Sequence, residues 1–254
     1  MSGVISKNKI LVLGGSGTLG TALKNTSEFK NADFPARSDL DLLKIKNINK
    51  FIKRGYNLII NCAGSARIRE CENLKINAAK SNIQSIMNLV REIKNYERET
   101  KKRVRLIHIS SDVVYKADKG NYKETDKLDP QNFYGFTKMV SEQIVSTLKN
   151  HIIIRTRFFN KKNLKYDNAA TDIHSSMVEV EDLAVKIGII VKTKFKGILN
   201  VGEKKSSDFQ KIVKFFPQLK KISWKNIQRK NSVNISKNST LNINLYKKIT
   251  KKIN

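Results

Sequence analysis

Cysteine and histidine are scarce in this chain. Its 254 residues hold two cysteines, Cys62 and Cys71, and three histidines, at 108, 151 and 174. Two cysteines cannot staple a disulfide scaffold, and none of the five residues falls at metal-ligand spacing, so two reduced thiols and no metal site are expected. Long apolar runs are also missing. The longest, such as "LIINCAG" and "IGIIV", fall far below the roughly 18 residues of a membrane span. The start "KNKILVLGGSGTLG" has the basic lead and apolar middle of a secretory signal. Four glycines break it, however, and no small-residue cleavage site follows. It reads as a strand entering a glycine loop, and a cytoplasmic protein is expected. In that compartment the sequons at Asn25, Asn234 and Asn238 carry no meaning.

Acidic residues are in deficit as well: 22 Asp and Glu face 50 Lys and Arg, a formal charge of +28. Such a charge raises the question of nucleic acid. The basic residues are mostly lysine and spread along the chain. The clusters "KKRVR" (101–105), "NKKNLK" (160–165) and "KKITKK" (247–252) carry no interleaved stacking aromatics. Nucleic acid is therefore not the expected partner, and a phosphorylated small molecule suits the positive field. Hydrophobic residues reach 39%, which excludes general disorder.

What is present is an alternation. Short β-branched runs at 9–14, 57–64, 104–111, 151–156 and 197–202 read as strands. Helical patterns separate them at 18–25, 83–93, 134–149 and 180–191. In the second of these, Ile83, Ile86, Met87, Val90 and Ile93 form an apolar stripe. Strands separated by helices imply βαβ units and a parallel sheet covered on both faces. From about residue 203 the chain is polar and lysine-rich, and helices with irregular structure are expected there.

After the first strand, "GGSGTLG" opens a helix. Glycines at 14, 17 and 20 let the backbone approach a pyrophosphate at the helix N-terminus. Gly14, Ser16, Gly17, Thr18, Leu19 and Gly20 are the candidate contacts. A site preferring NAD would carry an acidic residue at the end of the next strand. Here "ADFPARSDLDL" (32–42) offers Arg37 and Ser38, which suit a 2′-phosphate, flanked by Asp33 and Asp39. NADP(H) is thus preferred over NAD(H). Asp41 either caps the next element or faces the adenine.

"HISSDVVY" (108–115) ends a strand with serines at the carboxyl edge of the sheet, where ligands of open α/β sheets sit. "FYGFTK" (133–138) places Tyr134 and Lys138 four apart at a helix start. Alone, that spacing reads more readily as packing or solvation. Joined to Ser111, it makes a set able to couple proton transfer to hydride transfer. Tyrosine, with a pKa of about 10, is a poor acid at neutrality. An ammonium one turn away would lower that value, and Ser111 would orient a carbonyl.

With these residues the chain resembles the extended short-chain dehydrogenase/reductases, and among them the dTDP-4-dehydrorhamnose reductase group. The segments carrying the resemblance are "GGSGTLG", "IINCAG", "NIQSIMNL", "HISSDVVY", "YGFTK", "IIIRTRFF", "VEDLA", "GILNVG" and "KNSTLNINLYKK". It implies a Rossmann-type doubly wound α/β fold. A dinucleotide-binding domain would span 1–156, completed by about 178–202, with a small substrate-binding portion from 157–177 and 203–254. It also implies that Ser111 orients the substrate carbonyl, Tyr134 is the general acid and Lys138 holds the nicotinamide ribose. Asn61, Ala63 and Gly64 would line the cofactor, with Asn82 near the catalytic set. Asp112, Arg155 and Arg157 are candidates toward the substrate, one arginine for a phosphate, although Arg155 could equally anchor its strand. Cys62 fills a small apolar position and is read as core.

The implied reaction is reduction of a keto-sugar nucleotide, with no nucleic acid or membrane partner and a homodimer left open. The chain departs from the group in one place: only residues 161–177 separate "RTRFFN" from "VEVEDLA", where a longer helical lid is usual. A 4,6-dehydratase is disfavoured, because Ser111, Asp112 and Val113 stand where Thr-Asp-Glu would be required. An epimerase retaining NAD and a non-catalytic dinucleotide-binding subunit remain alternatives.

Overall fold

The computed structural model describes residues 9–164, 166–229 and 233–251. The basic residues Lys165 and Lys252 of two clusters named above, and the lead before Lys9, lie outside the described residues. Five strands form one sheet: Ile10–Leu13, Leu58–Asn61, Arg105–Ser111, His151–Thr156 and Gly197–Asn200, side by side in chain order. All four pairings are parallel.

Successive side chains of a strand point to opposite faces, and here both faces are apolar. Val12, Ile60, Ile107 and Ile154 face one way, packed with Leu23 of helix Thr18–Lys24 and Leu183 and Ile187 of helix Val180–Val191. Leu11, Ile59, Leu106 and Ile153 face the other, against Phe51 of helix Ile45–Ile52, Leu89 of helix Ser85–Thr100 and Val145 of helix Phe133–Ser146. This is the doubly wound α/β sheet the alternation implied. Among the described residues no helix is long and apolar enough to cross a membrane.

Two local expectations change. The segment after the first helix, where a further strand was expected to end near Arg37, touches the sheet through one bridge between Leu11 and Asp33. Val12 N donates to Asp33 O at 2.9 Å, and Asp33 N donates to Ile10 O at 2.9 Å. Pro35, two residues on, has no N–H to continue the ladder. The apolar stripe beginning at Ile83 is also displaced. Lys80–Gln84 forms a turn of π-helix, and the regular helix starts at Ser85. Ile86, Val90 and Ile93 are buried as expected, but Met87 is 54% exposed and Leu89 fills the core in its place.

The remaining chain builds a smaller layer. Strand Asn168–Ala170 pairs in parallel with Lys220–Ile222. Ala169, Met177, Ile212 and Leu219 share an apolar cluster with Phe159, Leu164 and Phe209. The chain then returns to the main body: Leu241 packs on Tyr115 and Tyr122, and Tyr246 of helix Asn244–Thr250 joins the sheet core.

Ile154 is fully buried in the fourth strand. Ile154→Ala should lower the urea unfolding free energy by about 2–5 kcal/mol. Met87→Ala should stay within about 0.5 kcal/mol, in the same measurement.

Candidate active site

The first strand ends at Leu13 and the chain turns through Gly14, at φ +80°. A Cβ there would lie 2.7 Å from Ala63 N and 2.8 Å from the Cys62 carbonyl carbon, so the loop lies directly on the end of the second strand. Gly17 N donates to Gly14 O at 3.0 Å and closes the turn. Gly20 lies in the first turn of the helix, where a Cβ would fall 2.7 Å from Gly15 Cα and closer still to Gly14 O. Only glycine at 14 and 20 lets loop, strand end and helix approach this closely.

A cleft of about 250 Å³ opens beside this loop. Of the sequence candidates, Gly14, Ser16, Gly17, Arg37, Asp41, Ala63 and Gly64 line it, together with Leu40, Leu42 and Leu43, which sequence reasoning missed. Arg37 is exposed and makes no hydrogen bond or ion pair among the described residues, which leaves its guanidinium free for an anion. Ser38 is exposed outside the lining, and the Leu19 side chain belongs to the core. Asp41 caps a turn, its Oδ1 accepting from Leu43 N at 2.9 Å. Asp33 accepts a hydrogen bond from the Tyr56 hydroxyl.

The proposed catalytic residues occupy the carboxyl edge of the third and neighbouring strands. Ser111 is the last residue of the third strand, and its Oγ donates to Asp112 Oδ1 at 3.1 Å. Helix Phe133–Ser146 starts at Asn132, whose Oδ1 accepts from Gly135 N, a capping bond that fixes the first turn bearing Tyr134. A Cβ at Gly135 would press on Val113 and Pro130, so this turn lies against the chain just after Ser111. Tyr134 is partly buried with Ser111 as its hydrogen-bonding neighbour.

The expected effect of Lys138 on Tyr134 is not found. Burial raises the Tyr134 hydroxyl above the ordinary tyrosine value, and Ser111 lowers it only in part. Lys138 Nζ instead donates to Ile109 O at 2.6 Å and lies 3.3 Å from His108 Nε2. Burial brings Lys138 down to about 8. The phenol is thus held as an acid, and the proton-labile cation lies behind it.

Asn61 and Asn82 support the site from below. Asn61 is fully buried, its Oδ1 accepting from Ala63 N at 3.2 Å. Asn82, inside the π-turn, accepts from Ser65 N at 2.8 Å and donates to Thr137 Oγ1 at 2.9 Å. It thereby ties the Gly64 loop to the helix of Tyr134. Gly64, at φ +151°, lies so close that a Cβ would stand 2.8 Å from Asn82 Oδ1. Cys62, read as core, is half-buried: it packs against the sheet core and also lines the cleft, and burial pushes its thiol up to about 12.

Two substrate candidates prove to be structural. Arg155 is 1% exposed and holds Glu142, with Nη2 to Oε2 at 2.7 Å, and donates to the Tyr115 hydroxyl and Glu124 O. Asp112 is equally buried and accepts from Ser239 of the tail and from Ser111. Arg157 remains one-third exposed, paired with Asp208 at 2.7 Å and close enough to act on Asp112. Among the described residues no group of three His, Cys, Asp or Glu could hold a metal ion.

The family model described as "RmlD substrate binding domain" matches residues 8–185. The chain belongs to this family. It is 27% identical over 172 residues to a dTDP-4-dehydrorhamnose reductase of Mycolicibacterium smegmatis, covering 66% of this chain and 50% of the relative. It is 28% identical over 160 residues to methionine adenosyltransferase 2 subunit beta of Bos taurus, covering 58% and 45%. The chain therefore spans about half the length of the curated relatives it matches. The crystal structure of dTDP-4-dehydrorhamnose reductase from Bacillus anthracis in complex with NADP shares the RmlD fold seen here. Its TM-score is 0.83 at 20% identity, over 96% of this chain and 98% of that one.

The Arg155–Glu142 pair is nearly free of solvent at both ends. Glu142→Ala should destabilise the protein by about 3–5 kcal/mol in chemical unfolding, because an unpaired guanidinium is left inside. The solvated Lys220–Asp167 pair should show no measurable loss on Lys220→Ala.

Proposed function

We propose that the chain is an NADPH-dependent reductase of a keto-sugar nucleotide, of the dTDP-4-dehydrorhamnose reductase kind. What supports this reading is that Ser111 ends the third strand, with Tyr134 next to it and Lys138 bonded to Ile109 O of the same strand, at the edge of the sheet on which the glycine loop also lies. The residues present fit a dinucleotide. Gly14 and Gly20 let the loop close onto the second strand and the helix start, which leaves Gly15, Ser16 and Gly17 lining the cleft where a pyrophosphate would lie, and Arg37 offers a free cation for a 2′-phosphate. When bound, the dinucleotide supplies a hydride to the substrate carbonyl carbon.

The chain's own residues handle the proton. Ser111 would turn its one hydroxyl proton from Asp112 Oδ1 to the carbonyl oxygen and so orient it. Tyr134, held protonated by burial, gives its hydroxyl proton to that oxygen as alkoxide character develops, since an alkoxide is a far stronger base than a phenolate. Lys138, at about 8, can return a proton to the phenolate near neutral pH. Arg157, partly exposed near Asp112, is the candidate for a substrate phosphate. The apolar cluster built from residues 159–177 and 209–219 would then flank the sugar side of the cleft. A homodimer and a cytoplasmic location belong to the same reading and rest on the resemblance alone.

NADPH oxidation should be followed spectrophotometrically across a panel of 4-keto nucleotide sugars. Tyr134→Phe is expected to lower kcat by about 10²–10⁴-fold with NADPH binding retained; undiminished turnover would overturn the reading. Arg37→Ala should weaken NADPH binding about 10- to 100-fold and leave NADH nearly unchanged, the size of a lost charged hydrogen bond. Cofactor carried through purification at one per chain would instead indicate an epimerase.

A further inference from the structure

His108 interrupts an otherwise apolar strand and is fully buried, yet the chemistry above gives it no task. It lies in register with Asn61 on the neighbouring strand. Asn61 Nδ2 is 3.1 Å from His108 Nδ1. Asn61 Oδ1 already accepts from Ala63 N, so the amide turns its NH₂ toward the ring. An NH₂ group only donates. Nδ1 must therefore carry the lone pair, and the single ring proton of the neutral imidazole belongs to Nε2.

The other side of the ring agrees. Ser141 Oγ lies 3.1 Å from Nε2 and spends its own proton on Lys138 O at 2.8 Å. Ser141 Oγ is then an acceptor for Nε2–H. Lys138 Nζ, 3.3 Å from the same Nε2, faces a nitrogen with no lone pair to offer. An ammonium there has one acceptor, Ile109 O, and a donor-bearing ring beside it.

We propose that Asn61 and His108 form a tautomer lock that holds Lys138 as a proton-labile amine by denying its ammonium form a second acceptor. His108 is a positioning residue in this arrangement, acting only through Lys138. The groups facing Lys138 are Cys62 just after the second strand, His108 on the third, and Glu142 on its own helix, where Tyr134 stands one turn before it. Glu142 favours the ammonium, but its carboxylate is taken up by Arg155 and Ser110. Burial holds the His108 ring neutral, so across the working range its tautomer and not its charge is the variable. The hydrogen-bond logic adds to desolvation: a partner that can only donate favours the unprotonated amine.

The consequence for proton return to Tyr134 rests on the reductase reading, whereas the lock itself can be measured without turnover. With three histidines in the chain, ¹⁵N imidazole shifts of the unaltered His108, assigned by elimination through His151→Gln and His174→Gln at the two half-buried positions, report the tautomer directly. An Nε2–H tautomer is expected, and an Nδ1–H tautomer would overturn the proposal even if no variant at His108 or Asn61 folds. In protein labelled with ¹³Cε-lysine, with Lys138→Met for assignment, the Lys138 signal should titrate near 8. His108→Gln, whose amide can turn its oxygen to the ammonium, should move that midpoint up by about one pH unit, tenfold in the protonation equilibrium. Asn61→Asp keeps the Ala63 bond and accepts from Nδ1–H, which reverses the tautomer, and should shift it in the same direction. A midpoint unmoved in both variants would show that burial alone sets Lys138. Absence of turnover on every sugar nucleotide would sink the reductase reading and leave these titrations standing.

Discussion

The ion pair between Arg155 and Glu142 is the interaction on which the site depends. One guanidinium, on the fourth strand, binds the carboxylate of the helix that bears Tyr134 and Lys138. The same guanidinium holds Tyr115 and the Glu124 carbonyl in the loop between Ser111 and that helix. Ser110 on the third strand donates to the same Glu142. Four pieces of chain meet at this pair: two strand ends, one helix and one loop. Taking both charges out of water is costly, and only the full complement of hydrogen bonds offsets it. The helix can therefore adopt very few orientations, and the distance from Ser111 to Tyr134 is set with it.

Around that pair the sheet has a simpler logic. Five parallel strands with apolar side chains on both faces require helices above and below, and this gathers the carboxyl ends along one edge. The glycine loop lies on that edge because Gly14 can rest on the backbone of Cys62 and Ala63. Asn82 extends the same support across to the second helical layer through Ser65 and Thr137. Its position within a π-turn puts the amide between loop and helix, where a regular turn would direct it elsewhere.

Much of this was legible in residue order. The five strands and three of the four helices fell within a few residues of their observed places, since apolar periodicity is a local property that burial enforces, whereas the helix read at 83–93 runs on to Thr100 and helix Ile45–Ile52 was not read. The doubly wound class followed from the alternation. That the strand taken to end near Arg37 shrinks to one bridge was not legible, because a bridge at Asp33 followed by Pro35 differs little in pattern from a short edge strand. Met87 was misplaced for a related reason: a π-turn shifts the helical phase, and no 3.6-residue pattern announces it.

The sequence by itself determined the fold class and the glycine loop and pointed to Ser111, Tyr134 and Lys138 as the proposed trio, because each is written in spacing or in residues that few backbones accept. Tertiary structure decided what those residues experience. Arg155 and Asp112 became anchors because Glu142 and Ser239, distant in the chain, reach them in the interior. Burial raises the Tyr134 hydroxyl, and Lys138 donates to Ile109 O beside the His108 ring, because burial and donor geometry outweigh proximity along one helix. Those are properties of neighbours brought together across strands, and linear order does not contain them.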